Sequence, residues 1–295
     1  MQKKQKTVEK LGSICYTNLN TFLLWRTTMK RIITILVAIT VFAVLVSGCA
    51  KKSANAVDQI KENGKIIVYC NANFPPYEYI QGADVVGVDI EIGKAIAEKL
   101  GVELEIKNTA FDGIVAAIAS GKGDISISGM TITEDRKKEV DFSKPYINSV
   151  QYLIVKNEST LEKVEDLAGK KVAAVLGYTG SLILDDEIGK NEGVLKGKDT
   201  VLNNYNSAGD ATLALTTGKV DVVIMDEMVA KSIVAKDSTL KAVKLTYADG
   251  SDTAEEYGVA IKKGKDDLLA IVNEVIDDLL ANNKIEEFMN MHVVQ

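Results

Sequence analysis

Two α/β lobes are what the order of segments in this chain predicts. Short apolar runs of strand length alternate with stretches of helical periodicity. The alternation occurs twice, with a break near residues 145–151. Connections of this length imply right-handed strand–helix–strand units and parallel strands. The chain has 295 residues, 26% charged and 46% hydrophobic, an ordinary globular mix with length for two domains.

The N-terminal segment comes first. Met29-Lys30-Arg31 leads into residues 32–46, fifteen residues in which only Thr34 and Thr40 are polar, and Ser47-Gly48-Cys49 follows. A positive start, a short apolar run and small residues before a cleavage point describe a secretory signal. Fifteen residues fall short of the roughly 20 that a spanning helix needs; the alternative is an uncleaved anchor. Residues 1–28 have no place in such a signal, so Met29 is read as the start and 1–28 as an N-terminal extension. Residues 49–295 then carry 28 basic and 40 acidic side chains, a net charge of −12. That charge argues against a nucleic-acid binder. Cys70 is the only cysteine beyond Cys49, and His292 is the only histidine of the chain. Nucleophile–histidine catalysis and a His/Cys metal site lose their residues, so no cofactor is expected.

Residues 50–56 (AKKSANA) read as a tether. Residues 65–70 (KIIVYC) form a buried strand. Ile92, Ala95, Ile96 and Leu100 fall at helical spacing and Gly101 stops them. Residues 103–107 alternate as a strand. Phe111, Ile114, Val115 and Ile118 mark an amphipathic helix over 111–120 that ends at Gly121, and 124–128 is the next strand. In the second series, strands are expected at 151–156, 171–175, 220–225 and 241–247, and helices at 180–188, 207–217 and 228–236. Asp249-Gly250-Ser251-Asp252 is a loop. Leu268, Val272, Val275 and Leu279 predict a long helix, and 285–291 a shorter one. Periodicity does not say which lobe these last helices join.

The chemistry gathers at one residue. Of the 28 basic residues after position 48, 27 are lysine; the exception is Arg136, within SGMTITEDR (128–136). A guanidinium forks onto a carboxylate through two parallel hydrogen bonds, which lysine cannot reproduce. Hydroxyls at Ser128 and Thr131 and the loop N–H groups suit the same ligand. The competing reading is a surface arginine paired with Glu134, Asp135 or Glu139.

SGMTITEDRKKEVDFSKPY (128–146) resembles the signature of the family 3 bacterial extracellular solute-binding proteins, which supply polar amino acids to ABC importers. NANFPPYEY (71–79), GVDIEIGKAIAEKLG (87–101), FDGIVAAIASGKGDI (111–125), KVAAVLGYTGS (171–181) and KVDVVIMDE (219–227) resemble further family segments, in order. The resemblance implies the two-lobed α/β fold of type II periplasmic binding proteins, with two crossings near 148–151 and 247–257. Residues 57–147 plus 257–295 would form the first lobe and 152–247 the second. Val46-Ser47-Gly48-Cys49 resembles a lipobox, which implies a lipid on Cys49 and attachment to the outer face of the cell membrane.

By the same resemblance, Arg136 would clamp an α-carboxylate and Asp226 would accept the α-ammonium. Thr131 and the Gly129 backbone would hold both ends, with Ser128 beside them. Thr179 and Gly180 would open a helix whose N–H groups face the carboxylate. Phe74 and Phe111 would wall the side chain, and Asn71 stands where the family often carries an acidic side-chain reader. The residues keep structural alternatives: Asp226 as a helix cap, Phe111 as core. Tyr77 and Tyr178 are further candidate contacts, and Asp89 reads as structural. With Asn71 neutral and Leu176 and Met225 apolar, a neutral polar or sulfur-containing amino acid fits better than a charged one. The expected partners are one amino acid and an ABC permease, the expected state a monomer without catalysis. A dehydratase of cyclic amino acids and an extracellular sensor are the competing functions.

Overall fold

The computed structural model describes residues 55–293. The signal segment, the extension before Met29 and Cys49 lie outside the described residues. Asn55 caps helix α1 (Ala56–Asn63), its side chain accepting the Asp58 N–H. Strand β1 (Lys65–Cys70) follows, with alternate residues buried. A small antiparallel sheet comes next: β2 (Asn73–Phe74), β3 (Glu78–Gln81) and β4 (Asp84–Val86). Helix α2 (Val88–Leu100) ends on Gly101 in the left-handed region, and α3 (Ile114–Ser120) ends likewise on Gly121. A 3₁₀ turn at Phe111–Gly113 precedes α3, where the apolar spacing predicts continuous helix. β5 (Glu103–Asn108), β6 (Ile125–Ser126), α4 (Glu134–Glu139) and β7 (Val140–Phe142) complete this part.

β8 (Ile147–Lys156) is the long strand that joins the lobes. After it come β9 (Lys171–Val175), α5 (Thr179–Gly189), β10 (Val201–Tyr205), α6 (Ala208–Thr216), β11 (Val222–Asp226), α7 (Glu227–Val234) and β12 (Leu240–Lys244). β13 (Ala254–Tyr257) runs back along the first residues of β8, Val150 facing Ala254 and Ile147 facing Tyr257. β14 (Ala260–Lys262), α8 (Asp266–Ala281) and α9 (Lys284–His292) end the described chain.

Besides the small β2–β4 sheet, the described strands make two larger sheets, ordered β5-β1-β6-β14-β7 and β10-β9-β11-β8-β12, with β13 pairing β8. β5, β1 and β6 are parallel, as are β10, β9 and β11. Each sheet also holds one antiparallel strand: β14 in the first, which periodicity did not foresee, and β8 in the second, expected as a strand over 151–156 but not in this direction. Both belong to the chain where it passes between sheets, so they enter against the direction of the strand–helix units. α8 and α9 pack on α2, which places the last helices with the first sheet.

The second sheet is buried on both faces, as parallel sheets usually are. Val172, Ala174, Val222 and Ile224 pack with Leu184 of α5 on one side. Ala173, Val175, Val223 and Met225 pack with Ala211 and Leu215 of α6 on the other. The cleft between the lobes lies at the carboxyl ends of β1, β6, β9 and β11, where open α/β sheets bind ligands.

Candidate functional site

The wall from the first lobe is a hydrogen-bonded block. The Ser128 hydroxyl donates to Glu78 Oε1 at 2.6 Å and accepts the Asn71 N–H at 3.0 Å. The Gly129 N–H donates to Asp89 Oδ2 at 2.6 Å, and the Tyr146 hydroxyl bonds both Asp89 oxygens at 3.0 Å. Gly129 sits at φ 48°, and a Cβ there would lie 2.3 Å from the Phe74 ring, so only glycine lets the ring approach. Glu78 and Asp89 are 0% exposed. Burial, reinforced by the charge of Asp89, pushes the Glu78 carboxyl well above its ordinary range. Burial also lifts Asp89 to about 6, while the Gly129 N–H, Tyr146 and Glu78 hold it down. Glu78 Oε2 faces no donor, which suits a protonated acid giving its own hydrogen to Asp89.

Arg136 lies on α4, whose first turn is capped by the Thr133 hydroxyl. It is not the surface arginine of the competing reading: it is buried, with its guanidinium carbon 5.3 Å from the centre of the Phe111 ring. Nη1 donates to the Thr131 carbonyl at 2.6 Å, and Nη2 donates across the cleft to the Gly177 carbonyl at 2.9 Å. Burial lowers its ordinary value to about 10, with Glu255 and Asp226 pulling the other way, so it stays charged at neutral pH.

The second lobe contributes the end of β11 and the start of α5. Asp226 occupies the cap position of α7, yet its side chain makes no capping bond. Its Oδ2 instead accepts the Tyr257 hydroxyl at 2.5 Å, and its Oδ1 is buried without a donor. The Thr179 and Thr131 hydroxyls meet at 2.6 Å, and Thr131 donates onward to Glu255 Oε2 at 2.7 Å. Glu255 also accepts from Gln151 Nε2 at 2.8 Å. Burial raises the Glu255 carboxyl well above its usual range, and neighbouring Asp226 raises it further, while Thr131 and Gln151 oppose. Pushed toward its protonated form, Glu255 adds little negative charge beside Asp226 and Arg136.

Of the residues named from the sequence, Phe74, Phe111, Gly129, Thr131, Tyr178, Thr179 and Asp226 line one cavity of about 10 Å³. Arg136, Asn71, Ser128 and Gly180 stand behind that lining. Ser128 is committed to Glu78, and the Gly129 N–H to Asp89, so Gly129 has only its carbonyl to offer. At Gly180 a Cβ would press to 2.8 Å from Gln151 Oε1 and 2.9 Å from Ile224, so its requirement is packing. Sequence reasoning missed Glu255, Tyr257 and Gln151. They reach the cleft only through the pairing of β13 with β8, across about a hundred residues of chain, and no local pattern marks them. A larger open groove of about 630 Å³ shares Thr131 and Thr179 with the cavity and runs along the crossing strands, lined by Asn148, Glu227 and Glu255.

Residues 66–294 match the model of the bacterial extracellular solute-binding proteins, family 3. The L-cystine-binding protein TcyJ of Escherichia coli (strain K12) is 32% identical over 249 residues, 82% of this chain and 88% of that one. The arginine-binding extracellular protein ArtP of Bacillus subtilis (strain 168) is 30% identical over 260 residues, 88% of this chain and 96% of that one. Among solved structures, the amino acid ABC transporter substrate-binding protein AbpA from Streptococcus pneumoniae, bound to L-arginine, superposes with a TM-score of 0.73 at 33% identity, covering 81% of this chain and 100% of that one. The chain belongs to the family 3 bacterial extracellular solute-binding proteins.

Proposed function

We propose that this family member captures one free amino acid between its lobes, outside the cytoplasm, and hands it to an ABC importer. The observation that carries this reading is a basic and an acidic side chain from opposite walls of the cleft, Asp226 lining the buried cavity and Arg136 standing behind its lining. Arg136 comes from the first lobe, and Asp226 from the second has a carboxylate oxygen that no donor satisfies. An amino acid is a dipolar ion, and each of its charges is expensive to bury unpaired. Its α-carboxylate replaces the Gly177 carbonyl on Arg136 and takes the hydroxyls of Thr131 and Thr179. Its α-ammonium sits against Asp226 and the Gly129 carbonyl. The cavity of about 10 Å³ is about the size of one water, so ligand enters with the lobes apart. A zwitterion that touches both lobes binds the closed arrangement better than the open one and shifts the balance toward it. The family is one of substrate-binding proteins, and this reading gives the site a binding role.

The same reading places a lipid on Cys49 after cleavage, with further acylation, because one chain gives only marginal attachment. The protein then works as a monomer at the outer face of the cell membrane. Mass spectrometry of the protein from its native membrane checks this: an unmodified Met1 terminus overturns it.

A thermal-shift screen of the twenty amino acids on the purified chain, stripped of carried-over ligand by unfolding and refolding, tests the binding claim. A ligand of the native state raises the melting point by mass action. At least one amino acid is expected to do so, and Arg136→Ala to lose the response while still melting cooperatively. An unchanged response in Arg136→Ala removes the clamp from the reading.

A further inference from the structure

Residues 177–179 form a short plug that the second lobe pushes into the first. Each makes one contact across the cleft. The Gly177 carbonyl accepts from Arg136, the Tyr178 hydroxyl donates to Asn71 Oδ1 at 3.0 Å, and the Thr179 hydroxyl meets Thr131. The Tyr178 ring stands edge-on to both aromatic walls, 4.6 Å from Phe111 and 5.2 Å from Phe74 between centroids. The Asn71 amide is oriented to receive it, since Asn71 Nδ2 donates to the Thr109 carbonyl at 2.7 Å. Only 5% of Tyr178 is exposed. The ring therefore fills the slot between Phe74 and Phe111 and satisfies the side chain at its floor. Those are the places where the side chain of a bound amino acid would be stacked and read.

From this geometry we infer that Tyr178 sets ligand size, and that the amino acid accepted has a short, uncharged side chain. The inference rests on the amino-acid reading of the cleft. A zwitterion with a short side chain needs only a slight parting of the lobes beside Arg136 and Asp226, and the ring keeps both aromatic contacts. A long side chain must expel the ring. That strips Tyr178 of two aromatic neighbours and its hydrogen bond to Asn71, and parts the lobes further than the zwitterion alone requires. Removing the ring opens the slot.

The test is calorimetric titration of the full purified chain and its variants with L-alanine, L-serine, L-glutamine and L-arginine. The wild type is expected to bind alanine or serine more tightly than glutamine or arginine by about tenfold or more, the scale on which pocket size discriminates. Tyr178→Ala is expected to tighten glutamine or arginine by about tenfold, with a smaller change for alanine and serine. Tyr178→Phe, which keeps the ring and drops the bond to Asn71, should preserve the wild-type order. Tyr178→Leu keeps an apolar filler of lesser reach and reads the same effect in milder form if the alanine variant does not melt cooperatively. A wild type that prefers arginine, or ring-removing variants that weaken all four ligands in equal proportion, overturns the size filter while the receptor reading stands. No binding by any of the twenty amino acids to the wild type overturns both.

Discussion

Beneath the first-lobe wall of the cleft, a set of polar groups bonds within its own lobe; on the second-lobe wall, polar groups bond across the gap. Ser128, Gly129, Asp89, Glu78 and Tyr146 satisfy one another beneath the surface. Tyr178 and Thr179 find their partners in Asn71 and Thr131, and Asp226 finds Tyr257 on the strand that returns to the first lobe. The first wall keeps its shape whether or not the lobes meet. The second presents free donors and acceptors whenever they part. One is a platform and the other a latch, and substitutions in the two should fail differently.

The sharpest separation is expected at the latch with Asp226→Asn. On the proposed reading it removes the counter-charge of the buried ligand ammonium, which typically costs roughly 2–5 kcal/mol, so affinity should fall by about a hundredfold or more. The ligand-free protein should melt almost where the wild type does, because the change also relieves crowding of Asp226 with Glu255. A large drop in melting temperature without ligand breaks the comparison.

On the platform, Asp89→Ala should act on the fold first. It leaves the Gly129 N–H and the Tyr146 hydroxyl buried without an acceptor, a loss of roughly 1–3 kcal/mol. In a domain of this size that lowers the melting temperature by several degrees, at roughly 2–4 °C per kcal/mol. Affinity declines as well, since the loop that carries Gly129 and Thr131 is no longer pinned. Unaltered melting with weakened binding would assign Asp89 to the latch. Thr179→Val, back on the second lobe, deletes one hydroxyl facing Thr131. Binding should weaken by about fivefold, the worth of one hydrogen bond of roughly 1 kcal/mol, with melting unchanged; titration and a thermal melt of the same sample decide it.

The platform was far less legible in the sequence than the strands that carry it. Residues 65–70 read as a strand because six apolar-rich residues are bounded by turns, and β1 has those bounds. Gly101 and Gly121 read as helix stops because both must take up left-handed backbone, and both do. The strand expected over 124–128 pairs only at Ile125–Ser126, because the chain turns there to deliver Ser128 and Gly129 to the cleft. β2 to β4 are two to four residues long, too short for any period to register. Arg136 stood out by its rarity, by the hydroxyls before it and by the signature around it. Nothing in its surroundings said that carbonyls, rather than Glu134 or Glu139, would take its donors. Glu78 and Asp89 are eleven residues apart in sequence and meet only because β3 and the start of α2 converge under Gly129. That meeting is tertiary, and local spacing carries no trace of it.

The smallest expected effect concerns that buried pair and pH. Both carboxyls sit above their ordinary values near 4 when folded, Asp89 at about 6 and Glu78 well above its usual range. The folded protein therefore holds protons that the unfolded chain releases. The pair's contribution to stability is complete below about pH 4 and is lost as pH rises through about 6 and beyond. The groups facing the pair are the hydroxyls of Tyr146 and Ser128 and the Gly129 N–H, with the acid Asp226 further off. Surface carboxylates such as Asp135, held below its usual range by Lys138, lose stability only at more acid pH. Melting temperature should thus rise by a few degrees as pH falls from 8 to about 5.5, then decline. Glu78→Gln gives Asp89 a permanent neutral donor of the same shape and should flatten that rise. Its cleft residues are intact, so affinity at pH 7 should stay within about twofold, a difference well below 1 kcal/mol. An equal slope in both proteins would mean that Glu78 carries no proton at neutral pH, and that the platform is held by two charged carboxylates instead.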